Sequence, residues 1–484
     1  MQATAGGAAL AALGTALGCD PAPDAKATAA SSPVGQTWSF RSRPDLRPPV
    51  IDVTQPPHDT APGLIFVAPK NGPEESHPSQ DGCVILDNQG QPVWLHLLSD
   101  ESLDVMNFKL QEYKGETVLT WWVGRHTGFG RGECVICDHS YREIKRIRAG
   151  NGYAADHHEF LITPDNTAFI TIYHPVKKDL TSVGGPADAT VLDGIVQELD
   201  IETGKVLFEW HSLDHVELAE NQTAYYDHLH INAIDVFDED HIIISSRTTS
   251  TVFKIDRKTG EIVWRLGGDK SDFELGEGVR FHYQHDARSH PGGTITLFDN
   301  GSKNTVEQSR GAVIGIDEDA MKATLVREYT HPDRLLSALQ GNVEVLPNDN
   351  VFIGWGSSPV ISEFSQKGEL LFNAEFPLES ETYRAFRYPW KGYPRYAPAI
   401  AAESGQKGEV KIYASWNGST EVATWQVLAG GGPKKLKNLA STPKEGFETV
   451  ITIKTEEPYV GVKALDASGK VLASSRAIKP QTSA

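Results

Sequence analysis

The sequence predicts an all-β fold, and two observations support that prediction. The chain of 484 residues contains 44 glycines and 28 prolines, and this density of turn formers favours many short strands over long helices. Hydrophobic residues make up 39% and charged residues 23% of the chain, which is ordinary for a globular protein and argues against wholesale disorder. The second observation is a pair of hairpins that recurs along the chain.

One hairpin type starts at a polar residue, continues through a short strand and a turn rich in Asp, Asn or Gly, and ends in a second strand. Its first residues lie roughly 55 to 70 positions apart, and they are His158, His230, His285 and Asn342. In the other hairpin type a strand, usually ending in Asp, turns at Gly and leads into a strand with Trp or Phe, as at 84–94, 199–210, 255–264 and 363–372. Two hairpins per unit at this period are typical of a β-propeller, whose four-stranded blades surround a channel.

We therefore predict a six-bladed β-propeller over residues 37–400, with seven blades or an irregular sandwich as the alternatives. The predicted blades cover about 62–98, 105–150, 157–213, 229–268, 283–330 and 341–378. Residues 383–396 are aromatic and basic without periodicity, and we interpret them as a strap that seals the propeller or as a cationic rim. Short alternating strands with Trp over 405–484 predict a small Ig/fibronectin-like β-sandwich.

The first 36 residues are predicted to be an export signal and a flexible tether. Residues 3–18 are apolar and uncharged, too short to span a membrane as a helix and suited to a signal peptide. Cys19 follows Ala16-Leu17-Gly18, a loose match to a lipoprotein cleavage box, so a secreted protein or a lipoprotein anchored at the cell surface through Cys19 is expected. A disordered Ala-rich tail is the alternative.

Charge and cysteine spacing argue against two classes of function. The net charge of −19 argues against broad nucleic-acid binding, which needs basic surface, although a local basic pocket for a small anion is compatible with it. Cys134 and Cys137 have redox or zinc spacing, but their context predicts a strand. In a strand the two side chains point to opposite faces, too far apart for a disulfide.

The first strand of each propeller blade lines the channel, so the repeat-initial residues His158, His230, His285 and Asn342 are expected to converge there. Basic residues also end or begin strands of these units, at Arg247 and Arg310. A group of imidazoles and guanidinium groups is suited to a tetrahedral oxyanion, because Arg offers forked donors and His can donate, accept or attack. A polar, water-filled channel without chemistry is the alternative.

At these residues the sequence resembles the arylsulfotransferase (ASST-like) family, over about residues 37 to 400. The matching segments occur in order along the chain, and they are 120–122 (TWW), 156–160 (DHHEF), 227–232 (DHLHIN), 264–268 (WRLGG), 284–288 (QHDAR), 297–301 (LFDNG), 309–310 (SR) and 354–356 (GWG). The C-terminal sandwich resembles an extension found in an actinobacterial-type branch. The resemblance implies an exported six-bladed propeller that moves a sulfuryl group from an aryl sulfate to a phenol, without a nucleotide cofactor, through a sulfated histidine.

The resemblance also implies roles for individual residues. It places His230, His285 and Arg310 at the family's supporting catalytic positions, and we add His158 as a further channel imidazole. The candidate substrate-binding residues share the channel-facing segments, and they are Asn232, Arg247, Asp299, Asn342 and Trp355. The family's nucleophilic histidine in the last blade has no counterpart, because Ser358 stands there and no histidine follows His331. The predicted partner is a small aromatic sulfate or phenol, with no cofactor, no assigned metal ligand and no nucleic acid.

Three hypotheses remain open at this point. The first is a sulfotransferase in which His158 or His230 is the nucleophile. The second is a metal site built from His158, His230 and His285, with or without Glu159, for hydrolase, lyase or oxidase chemistry, because neutral imidazoles are common metal ligands. The third is a non-catalytic surface module that binds a sulfated or phenolic ligand.

Overall fold

The computed structural model describes residues 37–71, 79–218, 226–302, 307–377 and 380–482. Nearly all regular structure in these residues is strand, and the helices described there are a 3₁₀ turn at Thr181–Val183 and a single turn, α1, at Ser212–His215. The predicted all-β fold class is confirmed. The predicted export signal, tether and Cys19 anchor lie outside the described residues. None of the described helices has the length and apolar character that a membrane crossing requires.

Strands follow one another with short turns along the whole described chain. The first seventeen are β1 (Asp52–Gln55), β2 (Leu64–Asn71), β3 (Gly82–Leu86), β4 (Pro92–Leu97), β5 (Asp104–Tyr113), β6 (Glu116–His126), β7 (Gly130–Cys137), β8 (Glu143–Ile147), β9 (Phe160–Ile162), β10 (Thr167–Lys178), β11 (Ala189–Asp200), β12 (Val206–His211), β13 (Ile231–Val236), β14 (His241–Ser246), β15 (Thr251–Asp256), β16 (Ile262–Gly267) and β17 (Glu274–Leu275). The remaining strands are β18 (His285–His290), β19 (Thr294–Asp299), β20 (Arg310–Asp317), β21 (Lys322–Tyr329), β22 (Asn342–Val345), β23 (Val351–Gly354), β24 (Val360–Phe364), β25 (Leu370–Glu375), β26 (Ser380–Tyr388), β27 (Ala399–Ser404), β28 (Glu409–Ser415), β29 (Thr424–Gly430), β30 (Lys437–Pro443), β31 (Glu448–Lys454), β32 (Tyr459–Leu465), β33 (Val471–Ser474) and β34 (Gln481–Thr482).

Within the described ranges, six sheets of four or five strands follow one another through residues 52–388. Their strand orders are β26-β2-β3-β4, β5-β6-β7-β8, β12-β11-β10-β9, β13-β14-β15-β16, β17-β21-β20-β19-β18 and β1-β25-β24-β23-β22. Each sheet contacts the next, through β26 and β5, β5 and β9, β10 and β13, β13 and β18, β18 and β22, and finally β22 and β26. These contacts form a closed circuit, so the arrangement is propeller-like, and in most of the sheets the strands that make these contacts are the first strands of their units.

Strands from the two ends of this region complete the circuit. β1 pairs with β25, and β26 pairs with β2, with Leu64 opposite Tyr388 and Val67 opposite Ala385. The predicted first blade, 62–98, therefore supplies only three strands of its sheet. The strap predicted to begin at Tyr383 lies within β26 as far as Tyr388. Ladder hydrogen bonds rather than an aromatic strap thus close the circuit at this point.

The cysteines of β7 behave as the sequence predicts. Cys134 packs in an apolar cluster with Met106 and Trp122, whereas Cys137 packs in a separate cluster around Trp94. Both thiols are buried and free. The prediction that the two side chains point to opposite faces of a strand is confirmed.

The C-terminal residues form two further four-stranded sheets, β31-β28-β27-β34 and β30-β29-β32-β33. Both sheets contribute to one apolar core around Trp425. The domain is fixed to the outer strand β4, because the Asn417 side-chain amide hydrogen-bonds both the N–H and the carbonyl of Leu95, each at 2.8 Å. The Tyr141 hydroxyl also donates to the carbonyl of Gly418 at 2.7 Å.

Candidate functional site

Three strands that face the axis are irregular near their starts. β5, β13 and β18 each contain a register shift there. Asn107, His230 and Asp286, at or beside these shifts, have φ values of 57°, 42° and 56°. Left-handed backbone at a residue other than glycine costs about 1–2 kcal/mol and persists where the surroundings impose it, often at functional sites. Two of these irregularities lie at or beside His230 and His285, which the sequence predicts to line the channel.

Five imidazole rings form a continuous row beside this irregular backbone. His126, His157, His158, His230 and His285 follow one another with ring centroids 4.7, 3.9, 4.8 and 6.2 Å apart. The structure therefore brings together the three histidines that the sequence places at repeat-equivalent positions. His126 and His157 extend the row beyond them.

Carboxylates orient two rings of the row. Nδ1 of His158 donates to Asp156 Oδ1 at 2.5 Å, and Nδ1 of His230 donates to Asp227 Oδ2 at 2.5 Å. Each carboxylate fixes the proton on Nδ1, so Nε2 keeps its lone pair. Burial lowers the pKa of His230, an effect that Asp227 opposes only in part, so burial favours the neutral form of the ring.

His230 and His285 differ in what their Nε2 atoms do. Among the described residues, Nε2 of His230 makes no hydrogen bond, and 15% of this side chain is exposed. His285 is buried, its Nδ1 lies 2.7 Å from Asn300 Oδ1, and its Nε2 accepts the N–H of Gln340 at 3.2 Å. The lone pair of His285 is therefore already used, whereas that of His230 is available.

Protonation of His285 is expected to make stability depend on pH. Burial lowers the pKa of this imidazole well below 6.5, so below that pH the unfolded chain binds a proton that the folded chain does not. The free energy of unfolding should fall by up to about 1.4 kcal/mol per pH unit for this group, until the folded-state pKa is reached. Urea denaturation between pH 7.5 and 5 should show that the free energy of unfolding of His285→Gln falls less per pH unit than that of the wild type.

The exposed His58 offers a matched control for this measurement. His58→Gln should retain the slope of the wild-type protein. If the free energy of unfolding of His285→Gln fell with pH as steeply as that of the wild type, protonation of His285 would not contribute to the loss of stability.

A fixed positive charge lies beside the last two rings. The Arg247 backbone N–H donates to the carbonyl of His230 at 3.1 Å. Its guanidinium group is half-buried and lies over the ring of Tyr283, 5.1 Å from the centroid. After burial, the charge of Arg247 is a further cause that lowers the pKa of both His230 and His285. This corner of the row is suited to an anion.

Two buried tyrosines form aromatic walls along the row. The Tyr173 ring lies 5.4 Å from that of His158 and 5.9 Å from that of His230. The Tyr383 ring lies 5.7 Å from that of His158. The Tyr173 hydroxyl donates to the carbonyl of Ile231 at 3.0 Å, which holds its ring in place. An aromatic ligand near His230 would meet the ring of Tyr173.

A buried ion network occupies the axis next to the row. Glu159 binds Lys109 Nζ at 2.8 Å, Arg288 Nη2 at 2.5 Å and Arg384 Nη1 at 3.1 Å. Asp286 binds the same two arginines, at 2.6 and 3.1 Å. Burial raises the pKa of Glu159, but Arg288 and its neighbours outweigh burial and hold it well below its ordinary value. The carboxylate of Glu159 is thus engaged by cations and is not free to bind a metal.

The structure does not bring Arg310 to the row. Its Nε donates to Asp299 at 3.0 Å, its Nη1 to Glu328 at 2.7 Å, and its Nη2 to the carbonyls of Gly278 and Arg280, each at 2.9 Å. All three nitrogens therefore bind groups in the neighbouring strands β19 and β21 and in the segment 278–280. Asp299, predicted to bind substrate, serves as the partner of this guanidinium group.

The other predicted binding residues make structural contacts. The Asn342 side chain binds the N–H and the carbonyl of Ala385 at 2.9 and 2.7 Å and so joins β22 to β26. Trp355 is buried, and its indole N–H donates to a serine hydroxyl at 2.9 Å. The Asn232 amide donates to the carbonyl of Gln284 at 2.7 Å, and its Oδ1 is buried without a hydrogen-bond partner in the described ranges.

Some residues at the site were not predicted as functional from the sequence. Asp156 and Asp227 are recognisable only as the patterns Asp-x-His and Asp-x-x-His, which become dyads when the backbone turns between the two residues. His157 adjoins a predicted residue but does not occupy a repeat-equivalent position. Tyr173 carries no signal, because it reaches the row from the second strand of its sheet, within an apolar run.

Comparison with known proteins gives one family and distant structural likenesses. A family model described as Arylsulfotransferase (ASST) matches residues 109–377, more than half of the chain. No curated protein matches the chain. A protein of unknown function from Bacteroides caccae is 12% identical over 68% of this chain and 99% of its own, with a TM-score of 0.43. A catalytically inactive virginiamycin B lyase from Staphylococcus aureus, solved with quinupristin, is 11% identical over 76% of this chain and 94% of its own, with a TM-score of 0.33.

Proposed function

The chain belongs to the arylsulfotransferase (ASST) family, and on this premise we propose that it transfers a sulfuryl group from an aryl sulfate to a phenol at the imidazole row. One observation carries the proposal in this chain. The Nδ1 proton of His230 is held by Asp227, and its Nε2 is not engaged by any described residue. Burial, which lowers the pKa of the ring, favours its neutral form. That arrangement is what a nucleophilic imidazole needs.

His230 takes the place of the family's nucleophile in this proposal. Ser358 stands where the resemblance leads us to expect that histidine, and its hydroxyl accepts a hydrogen bond from Ser337 at 2.6 Å. His285 is unsuited to attack, because its Nε2 accepts the N–H of Gln340. We therefore assign attack to His230 and orientation of the pocket wall to His285.

The first step forms an N–S bond and breaks an S–O bond. The lone pair on His230 Nε2 attacks the sulfur of the aryl sulfate, and the aryloxide leaves with the electron pair of the S–O bond. The imidazole gains positive charge, which the Asp227 carboxylate stabilises through the Nδ1–H. A phenol oxygen then attacks the same sulfur and forms a new S–O bond, while the N–S bond breaks and its electron pair returns to Nε2. The phenol proton passes to water, and the neutral ring is regenerated.

Arg247 and Tyr173 supply binding in this scheme. A guanidinium group can pair with two oxygens of a sulfate, and its charge lies beside His230 and His285. The Tyr173 ring, 5.9 Å from that of His230, offers an aromatic surface to the aryl group. The transferring group would thus lie between a cation and a nucleophile, with the ring of the substrate against tyrosine.

Mass spectrometry of the intact protein tests the proposal. Incubation with p-nitrophenyl sulfate should add about 80 Da, the mass of a sulfuryl group, and release p-nitrophenol. His230→Ala should lose both signals, whereas His58→Ala, which removes an exposed ring, should retain them. Turnover and adduct formation that survive in His230→Ala would overturn the assignment, and a His158→Ala variant would then identify whether the neighbouring ring attacks.

We further propose the finer architecture and location. The circuit of six sheets supports a six-bladed propeller, and two four-stranded sheets around one core support an Ig-like sandwich after it. Export as a secreted protein or lipoprotein rests on the sequence of residues 1–36 alone.

A further inference from the structure

Three consecutive side chains, two of them rings of the row, converge in a way that the proposed transfer does not use. Asp156, His157 and His158 each direct a ligand atom to one place, and these atoms lie within 4.8 Å of one another. Nδ1 of His157 lies 3.4 Å from Asp156 Oδ2, and Nδ1 of His158 lies 2.5 Å from Asp156 Oδ1. All three side chains are buried.

The buried Nδ1 atom of His157 is a second, independent observation. His157 is 4% exposed, and this nitrogen has no hydrogen-bond partner in the part of the chain that the structure describes. A buried polar atom left without a partner costs about 1–3 kcal/mol, so such atoms usually face a ligand, a water or an ion. Here the atom is directed at the Asp156 carboxylate, beside the neighbouring imidazole.

The carboxylate is held as carboxylate ligands of metals usually are. Asp156 Oδ1 accepts the backbone N–H of His158 at 2.9 Å, and Oδ2 accepts that of Gly130 at 2.5 Å. A Cβ atom at Gly130 would lie 3.0 Å from Oδ2, so glycine keeps the space beside the carboxylate open. Backbone donors that fix a carboxylate are a common outer shell of metal sites.

We propose that Asp156, His157 and His158 form a binding site for a divalent transition metal of the zinc class. Two imidazoles and one carboxylate are a donor set that zinc, cobalt and iron accept. Ligands about 2.0–2.2 Å from a tetrahedral metal lie about 3.3 Å apart, so small rotations of these side chains suffice. The imidazoles bind as neutral rings, and the proton on Nδ1 of His158 moves to its Nε2.

This site replaces the metal hypothesis drawn from the sequence. That hypothesis combined His158 with His230, His285 and Glu159, but His285 uses both nitrogens and Glu159 is engaged by three cations. Only His158 is common to both sets. The new site is independent of the proposed transfer, because no step assigned to His230 passes through it.

Zinc binding to the full-length protein tests the site. After treatment with EDTA and dialysis, calorimetric titration with ZnCl₂ should give a single equivalent bound per chain. His157→Gln should weaken that binding about 10-fold or more. His285→Gln changes another ring of the same row and should bind zinc as the wild type does.

Cobalt substitution gives a readout that needs no variant. Co²⁺ in the wild-type protein should show the visible absorption of a low-coordinate nitrogen and oxygen site, and zinc should displace it. No zinc binding in the wild type, or equal binding in His157→Gln, would overturn the proposal. His230→Ala should bind zinc normally while losing sulfuryl transfer, so failure of one proposal is distinguishable from failure of the other.

Discussion

Replacing Glu159 with glutamine is expected to lower the free energy of unfolding by about 3–5 kcal/mol, because it leaves buried cations without their counter-charge. The side chain is fully buried and binds Lys109, Arg288 and Arg384 directly. Asp286 remains in the variant, but a single carboxylate cannot compensate three cations. Urea denaturation at pH 7 measures the loss.

A double-mutant cycle with Lys109→Met sharpens this prediction. Removing Lys109 leaves two arginines with two carboxylates, so the remaining charges balance. Burial lowers the pKa of Lys109 to about 8, which means that its charged form is less stable in the folded protein than in water. Lys109→Met alone should therefore destabilise far less than Glu159→Gln. The double variant should be more stable than the sum of the two single effects predicts, since it removes one charge of each sign.

An exposed ion pair supplies the matched control. Glu143 pairs with Arg146 at 2.7 Å, and both side chains are more than 40% exposed. Glu143→Gln should change stability by about 1 kcal/mol or less. If Glu159→Gln lowered the free energy of unfolding by no more than Glu143→Gln does, the buried network would not depend on the Glu159 carboxylate.

The hairpins of the middle sheets could be predicted from the sequence, whereas the strand pairing that closes the circuit could not. Hairpin signals are local, because turn residues and alternation act over a few positions, and so the strands of the middle sheets were predictable. β26 carries no alternation, since residues 382–387 are buried on both faces. For that reason its aromatic and basic residues were interpreted as a strap. Its pairing with β2, some 320 residues away in the chain, could not be predicted from any local pattern.

The sequence also placed imidazoles together without indicating what each one does. Repeat-equivalent positions brought His158, His230 and His285 together because each lies at the start of a strand or within two residues before it. The partner of each ring depends on loops distant in sequence, such as the one that delivers the Gln340 N–H to His285. Arg310 shows the same limit, because it begins a strand as expected but its guanidinium group turns toward Asp299.

Asp227→Asn is expected to reduce sulfuryl transfer by about 10²–10⁴-fold while leaving the fold intact. The carboxylate now accepts the Nδ1 proton of His230 at 2.5 Å, which leaves the Nε2 lone pair for attack. An asparagine amide can instead donate to Nδ1, and the ring then carries its proton on Nε2. In that tautomer the nucleophilic lone pair is lost, and the positive charge of the sulfated ring has no carboxylate beside it.

The chain offers a close control for this substitution. Asp238 accepts from Nδ1 of His241 at 2.7 Å with the same three-residue spacing, but this pair lies on the outer surface. Asp238→Asn should keep full transfer. Release of p-nitrophenol and the sulfuryl adduct of His230 should both fall in Asp227→Asn, mainly through kcat, with little change in Tm, because Asp227 is 25% exposed.

A structural role for Asp227 would give a different pattern from a role in setting the tautomer. If the carboxylate only supports the loop, the variant should lose stability and substrate affinity, and the adduct should still form on folded protein. If it sets the tautomer, the folded protein binds the aryl sulfate but does not take the sulfuryl group. Transfer within about threefold of the wild type, a difference of less than 1 kcal/mol in the barrier, would show that another ring attacks.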